Sequence, residues 1–265
     1  SLLELCDVNQ PALKRLALEA PGTYAHSLLI GTLSESAAEA IGANGLLARV
    51  GAYFHDIGKA NKPRYFVENY QEGQEAHGSL TPAMSRLIIM SHVKDGQEMA
   101  DRLSLPPIIK NFIAEHHGTT LMEFFYHQAR QQAEANGEEP PAESDYRYPG
   151  PRPRSPETAI VMLADVVEGA TRSLKERTAN RIGATVRDMV MKRLLKGQLD
   201  ESGLTLNDLH KIEETLTKTL LSVYHGRVSY PSQDEAGQAA PAGGDAAKGA
   251  DPQAEVRNGP RAEPQ

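Results

Sequence analysis

The sequence predicts an all-α fold, on three observations. Apolar residues recur at three- and four-residue spacing along residues 1 to 230. Alternating runs of the β type are hard to find, and helix-start signals come back repeatedly. Chains built only of such amphipathic segments bury their stripes helix on helix. At 265 residues the chain suits one large domain or two small ones. Its 40% hydrophobic fraction can fill a core even though aromatics are only 5% and tryptophan is absent.

In chain order, Leu46, Val50, Phe54 and Ile57 mark the first clear apolar stripe. Thr81-Pro82 and Ser155-Pro156 each place a capping side chain before a proline suited to the first helical position. Residues 136–157, "NGEEPPAESDYRYPGPRPRSPE", are rich in proline and charge and cannot be one regular element. A segment of that length is either an ordered functional loop or a linker. Leu163, Val167, Ala170 and Leu174 mark a second stripe. Thr205 with Asp208 resembles a capping box with Asp in place of Glu, and Leu209, Ile212, Leu216 and Leu220 follow as a third stripe. Residues 231–265 contain almost nothing that could pack and read as a disordered tail. The expected organisation is therefore a helical domain over 1–230, with a Pro-rich loop at 136–157, and a tail.

Composition narrows the function classes. A formal charge of −7 argues against a module for long nucleic acid, which carries a basic stripe. Cys6 is the sole cysteine, so no internal disulfide forms, which fits a reducing compartment. No apolar run approaches ~18 residues, and "SLLEL" is too short and lacks the basic flank of a signal peptide.

The histidines carry the chemistry. Of nine, His26 in "TYAHSLL", His55 in "FHDIGK", His92 in "IIMSHV" and His116-His117 in "AEHHGTT" sit in apolar helical contexts, and His77 lies in "EAHGSL". Asp56 adjoins His55, and Asp165 interrupts the apolar "MLADVVE". A lone histidine on an apolar face is more often a hydrogen-bonded core residue than a ligand, but a buried carboxylate needs a metal, an arginine or a cap. Taken together, imidazoles and carboxylates without thiolates suit Mn, Fe, Ni or Zn. Seven such groups suffice for two ions if one carboxylate bridges them. Glu115 and Glu168 are candidate acceptors for the other ring N–H of a ligating histidine. His127, His210 and His225 read as surface or boundary residues.

The ordered set His26, His55-Asp56, His92, His116-His117, Asp165 resembles the metal-binding signature of HD-domain phosphohydrolases. The stretches "HDIGK", "FVENY", "MSHVKDG", "EHHGTTL", "YRYPGPRPRSPETAIVMLADVVEGATRSL", "GQLDESGLTLNDL" and "HGRVSYP" are similar to the cytoplasmic catalytic domain of the seven-transmembrane HD hydrolases, which include PgpH-type cyclic di-AMP phosphodiesterases. The similarity runs from Leu2 to Pro231 and departs at Tyr70, where the family often has Gln. The resemblance implies an HD-domain helical bundle with two divalent transition-metal ions, manganese or iron. His26, His55, Asp56 and Asp165 would hold one ion. Asp56, His92, His116 and His117 would hold the other. It further implies hydrolysis of cyclic di-AMP to pApA. It places the domain at the cytoplasmic face of the cell membrane, after an upstream transmembrane region, in a protein that could form a homodimer. "HHGTTLMEF" stands where the cyclic di-GMP branch carries a "GYP" motif. Other HD substrates (another cyclic dinucleotide, a short oligonucleotide, a nucleotide) and a non-catalytic nucleotide-sensing module are the competing readings.

Several residues extend the expected site. Lys59 is either a phosphate contact or leaving-group acid, or a solvated cation at a helix end. Asp165, Glu168 and Arg172 share one helix face; Arg172 pairs with Glu168 by default and contacts a substrate phosphate in the alternative. Arg147 and Tyr148 offer a guanidinium and a ring for phosphate and base, or merely anchor the loop. Arg64, Asn69 and His77 follow the first ligand helix and are expected at the site entrance.

Overall fold

Most helix starts have a local chemical cause. The computed structural model describes residues 1–70 and 76–225, all of which belong to one compact unit. The chain opens with α1 (Leu2–Leu5), closed by a reciprocal Ser1–Glu4 capping box, then α2 (Pro11–Glu19) and α3 (Pro21–Ile41), each with proline in its first turn. Gly42 ends α3 in the left-handed region at φ 79°, and the Asn44 side chain caps Leu47 N to start α4 (Gly45–Phe54). Short 3₁₀ turns follow at Ile57–Asn61, Pro63–Tyr65 and Val67–Asn69. Then come α5 (Pro82–Arg102), α6 (Pro107–Glu115), α7 (Glu123–Asn136), α8 (Pro156–Arg172), α9 (Ala179–Leu195) and α10 (Leu206–His225). The expected caps are present: Thr81 accepts from Met84 N, Ser155 from Thr158 N, and Thr205 and Asp208 cap each other's backbone. Among the described residues the only β feature is an isolated bridge between Leu121 and Arg147.

The core forms around α8, where Ala159 to Ala164 are buried without interruption. A helix apolar on every side belongs in the middle of a bundle, and α8 indeed packs against α3, α4, α6, α9 and α10. Along the predicted stripe, Leu163 and Val167 are fully buried, but Ala170 and Leu174 only partly so, because α8 stops at Arg172. The first stripe is buried at Val50, Phe54 and Ile57 and the third at Leu209, Ile212, Leu216 and Leu220. Each large apolar side chain buried contributes roughly 1.5–3 kcal/mol. Three in a row on the segment ending at Ile57 offset the several kcal/mol that burying the adjacent Asp56 carboxylate costs.

Two expectations are refined. The first apolar stripe extends to Ile57, which would carry its helix through His55-Asp56. In the structure α4 ends at Phe54, and Gly58 lies inside the following 3₁₀ turn, pressed against α5. The Pro-rich segment after Gly137 forms a strap with one 3₁₀ turn at Glu143–Tyr146. Met122 N donates to Tyr146 O, Tyr148 N to Thr120 O, and Arg154 N to Glu115 Oε2, which pins the strap over the segment after α6. The expected tail, 231–265, lies outside the described residues.

Candidate metal centre

Five helices deliver the predicted ligands to one place. His26 projects from α3, His92 from α5 and Asp165 from α8, while His55-Asp56 and His116-His117 follow the last turns of α4 and α6. His55, Asp56, His92 and His116 are at most 2% exposed and His26 is 6% exposed. Asp56 sits at the middle. His92 Nε2 and His116 Nε2 lie 3.4 and 3.5 Å from its Oδ1; His55 Nε2 and His26 Nε2 lie 3.2 and 3.8 Å from its Oδ2. Asp165 Oδ1 is 3.0 Å from His26 Nε2. Two groups result, Asp56-His92-His116-His117 and His26-His55-Asp56, each with its ligand atoms within 4.8 Å of one another. Asp56 alone belongs to both.

The side chains are oriented as metal ligands would be. Nδ1–H of His55 donates to Ala52 O, that of His92 to Ile89 O, and that of His116 to Ile113 O, each three residues back along its own helix. This fixes the tautomer and leaves Nε2 as a lone pair aimed inward. His26 Nδ1 donates to Glu168 Oε2 at 2.9 Å instead. His92 Nε2 and His116 Nε2 face each other at 3.2 Å, an arrangement that two lone pairs cannot satisfy without a cation. His55 Nε2 and both Asp56 oxygens are buried outside hydrogen-bond geometry, though Lys59 Nζ lies 2.7 Å from Asp56 Oδ2 as an ion pair. Buried orphans of this kind are costly, and a divalent cation coordinated by nitrogen and oxygen resolves all of them at once.

Electrostatics agree. Burial pushes His92 down to about 4 and His117 well below the usual imidazole value, which keeps both neutral. Burial alone would raise Asp56, but the adjacent His55 and the Lys59 ammonium hold it well below the carboxylate range. Burial opposes protonation of His26, yet the hydrogen bonds it donates to Asp165 and Glu168 push it up to about 9. The proton between His26 and Asp165 occupies the place a cation ligated by both would take.

The remaining predicted residues divide. A cleft of about 620 Å³ opens over the centre, and Lys59, His77, Tyr148 and Arg172 line it together with Phe66 and Phe125. Tyr148 stacks on His117, with centroids 4.2 Å apart and planes at 22°. Lys59 Nζ pairs with Asp56 at 2.7 Å and Glu68 at 2.8 Å rather than with solvent. Arg172 pairs with Glu168 at 3.6 Å, its default role, and also reaches the cleft wall. His77 is held by Ser85 Oγ and Tyr65 O. Three residues sit elsewhere. Exposed Arg64 stacks on Tyr65. Asn69 clamps the backbone and hydroxyl of Thr23. Arg147 turns from the cleft to Glu143 and Thr119 O. Of the two candidate acceptors, Glu168 serves His26, whereas Glu115 accepts from the strap. His127 and His210 are on the surface as expected, and the His225 side chain lies outside the described residues. Sequence reasoning missed Glu68, which holds both Lys59 and Thr23 Oγ1. It lies in an irregular turn, where no periodicity marks it.

A helical bundle that gathers histidines and aspartates in this order defines the class: the chain belongs to the HD-domain family, whose model matches residues 23–170. It is similar to the cyclic-di-AMP phosphodiesterase PgpH of Bacillus subtilis, at 44% identity over 87% of this chain and 32% of that protein. It thus spans about a third of the length of the curated relatives it matches. It is also similar to the solved HD domain of Listeria monocytogenes PgpH, with TM-score 0.77 and 43% identity over 82% of this chain and all of that one. A second structure of that domain, in complex with cyclic-di-AMP, matches equally well. Among the described residues no helix is long and apolar enough to cross a membrane.

Proposed function

We propose that this chain is a metal-dependent phosphodiesterase domain that hydrolyses cyclic di-AMP to linear pApA. The observation that carries the reading is the buried Asp56 carboxylate, with imidazole Nε2 atoms converging on both of its oxygens. Support also comes from relatives named cyclic-di-AMP phosphodiesterases and from the related domain solved with that nucleotide. His26, His55, Asp56 and Asp165 would hold one divalent ion, and Asp56, His92, His116 and His117 the other. The nitrogen and oxygen donor set, with no thiolate, suits manganese or iron. When bound, the two ions supply activation of water at neutral pH and neutralisation of charge on the phosphate.

The chain's own groups do the rest. Asp56 and Glu68 hold the Lys59 ammonium charged against the opposing effect of burial. A proton held that firmly suits Lys59 to fixing a phosphate oxygen rather than protonating the leaving group. Tyr148, braced on His117, and Phe66 and Phe125 give the cleft aromatic walls on which a purine stacks. In the reaction one water adds to phosphorus, the bond to a ribose O3′ breaks, and that oxygen takes a proton.

The test is turnover of cyclic di-AMP, cyclic di-GMP and pApA by protein loaded with Mn²⁺ or Fe²⁺, with product identification. Metal-dependent formation of pApA from cyclic di-AMP, in clear excess over the other two substrates, is expected. Binding of cyclic di-AMP without cleavage would instead make the domain a sensing module. Glu168 offers a finer check. Glu168→Gln keeps the shape but weakens the acceptor that orients His26, so metal affinity is expected to fall about 10–100-fold. Metal titration reads this directly, and unchanged affinity would remove Glu168 from the site.

A further inference from the structure

A second cavity, of about 230 Å³, lies against the segment that follows His116-His117. Arg147, Lys192, Arg193 and Lys196 line it with Thr120 and Gln198, and Glu123 is its one acid. This is an uncompensated positive concavity in a chain of net charge −7. Two of the four cations are already used. Lys192 pairs with Glu123 at 2.6 Å, and Arg147 pairs with Glu143 while donating to Thr119 O. The other two are not. Neither the Arg193 nor the Lys196 side chain makes a hydrogen bond or ion pair with any described residue, and Arg193 Nε is buried without a partner. Asp165 and Glu123 are the acids near enough to favour the Arg193 charge, but they are committed to His26 and Lys192. A guanidinium taken out of water with no anion beside it is unfavourable. Its planar fork matches the oxygens of a phosphate.

We propose that this cavity binds a small phosphate-class anion, held by Arg193, Lys196 and the edge of Arg147. The volume falls below the range of about 300–1,000 Å³ used by drug-sized ligands, so inorganic phosphate or pyrophosphate fits and a whole nucleotide does not. The site is separate from the cleft over the metal centre, and it does not depend on the phosphodiesterase reading. Its walls nevertheless belong to the same framework. Gln198 holds Thr119 N at 2.9 Å and Thr119 Oγ1 at 3.0 Å, Arg147 precedes the Tyr148 that stacks on His117, and Val166 follows Asp165. An anion there ties α9 and the strap to the segment bearing His116 and His117.

The experiment is thermal unfolding of the full chain, as purified and after chelation of metals, with inorganic phosphate, pyrophosphate or AMP. At about fivefold excess over Kd, phosphate or pyrophosphate is expected to raise Tm by about 2–4 °C in both preparations. That shift should vanish in Arg193→Met and in Lys196→Ala and persist in Lys59→Ala. Lys196 is exposed, so its variant keeps the fold even if Arg193→Met does not. No shift in the wild type overturns the proposal. So does a shift that survives both pocket variants, or one lost in Lys59→Ala, which would place the anion in the cleft. AMP is expected to give no Arg193-dependent shift, and a larger one than phosphate would overturn the small-anion assignment.

Discussion

On the proposed two-ion reading, Asp56→Ala is expected to lower cyclic di-AMP turnover by about 10³-fold or more and to leave fewer than one bound ion per chain. The magnitude follows from losing several kcal/mol of charge stabilisation at about 1.4 kcal/mol per tenfold in rate. The cause is positional. Asp56 is the one residue common to both ligand groups, and the imidazoles of His26, His55, His92 and His116 converge on its two oxygens at 3.2–3.8 Å. Without it the rings lose the carboxylate they share, the His92-His116-His117 group keeps no negative charge to draw a cation in, and the other group keeps only Asp165. Loss of fold is the competing explanation. Lys59 keeps Glu68 as a partner at 2.8 Å, and His92 and His117 are neutral, so the variant is expected to stay folded. Asp56→Asn, which preserves volume, should lose activity to a similar degree. Metal analysis beside far-UV circular dichroism separates the outcomes. Two ions retained by folded Asp56→Ala would refute the bridging role; one ion retained would make Asp56 a ligand to a single site.

The candidate ligand cluster is legible in the sequence because each member breaks a local rule. Asp165 interrupts an apolar run, His55-Asp56 ends an apolar stripe, and imidazoles recur where core residues are expected. The helices were legible for the complementary reason, since their stripes and caps obey the rules: Val50, Phe54 and Ile57 are buried and Thr81 and Ser155 cap as predicted. What the sequence could not show lies in the backbone and in irregular turns. The acceptors that orient His55, His92 and His116 are main-chain carbonyls three residues back, and a carbonyl has no residue identity to read. Glu68, the partner of Lys59, sits in a turn with no period. Nearness in sequence to the first ligand helix nominates Arg64 and Asn69, and its guanidinium in the Pro-rich loop nominates Arg147; in each case a neighbouring group claims the side chain: Tyr65, Thr23 and Glu143 respectively. Arg193 drew no notice at all, because an arginine at the end of an amphipathic helix looks ordinary until its missing counter-charge is seen.

Gly58→Ala carries the second large expected effect, and it tests how the centre is held rather than what it contains. A Cβ at Gly58 would lie 1.9 Å from His92 O, 2.5 Å from Gly96 N and 2.9 Å from Gly96 Cα. All three are backbone atoms of α5, so no side-chain rotation relieves the clash. Either α5 or the 57–61 turn must move by an ångström or more. Overpacking usually costs about 1–3 kcal/mol, and a clash with rigid backbone belongs at or above the top of that range. Tm is then expected to fall by roughly 6–12 °C for a domain of this size. The same displacement reaches the chemistry, because α5 carries His92 and the turn follows Asp56 directly, and a shift of 1 Å separates their facing atoms. Metal affinity and turnover should therefore fall together with stability. Gly183→Ala, on α9, is the matched control. Its Cβ would meet only Thr217 Cγ2 at 3.8 Å, and replacing a mid-helix glycine there should stabilise by about 0.5–1 kcal/mol. Urea unfolding and metal titration of both variants decide the matter. If Gly58→Ala unfolds at the wild-type midpoint and binds metal normally, α5 is not held against the Asp56 turn by this contact, and the buried geometry of the centre has another support.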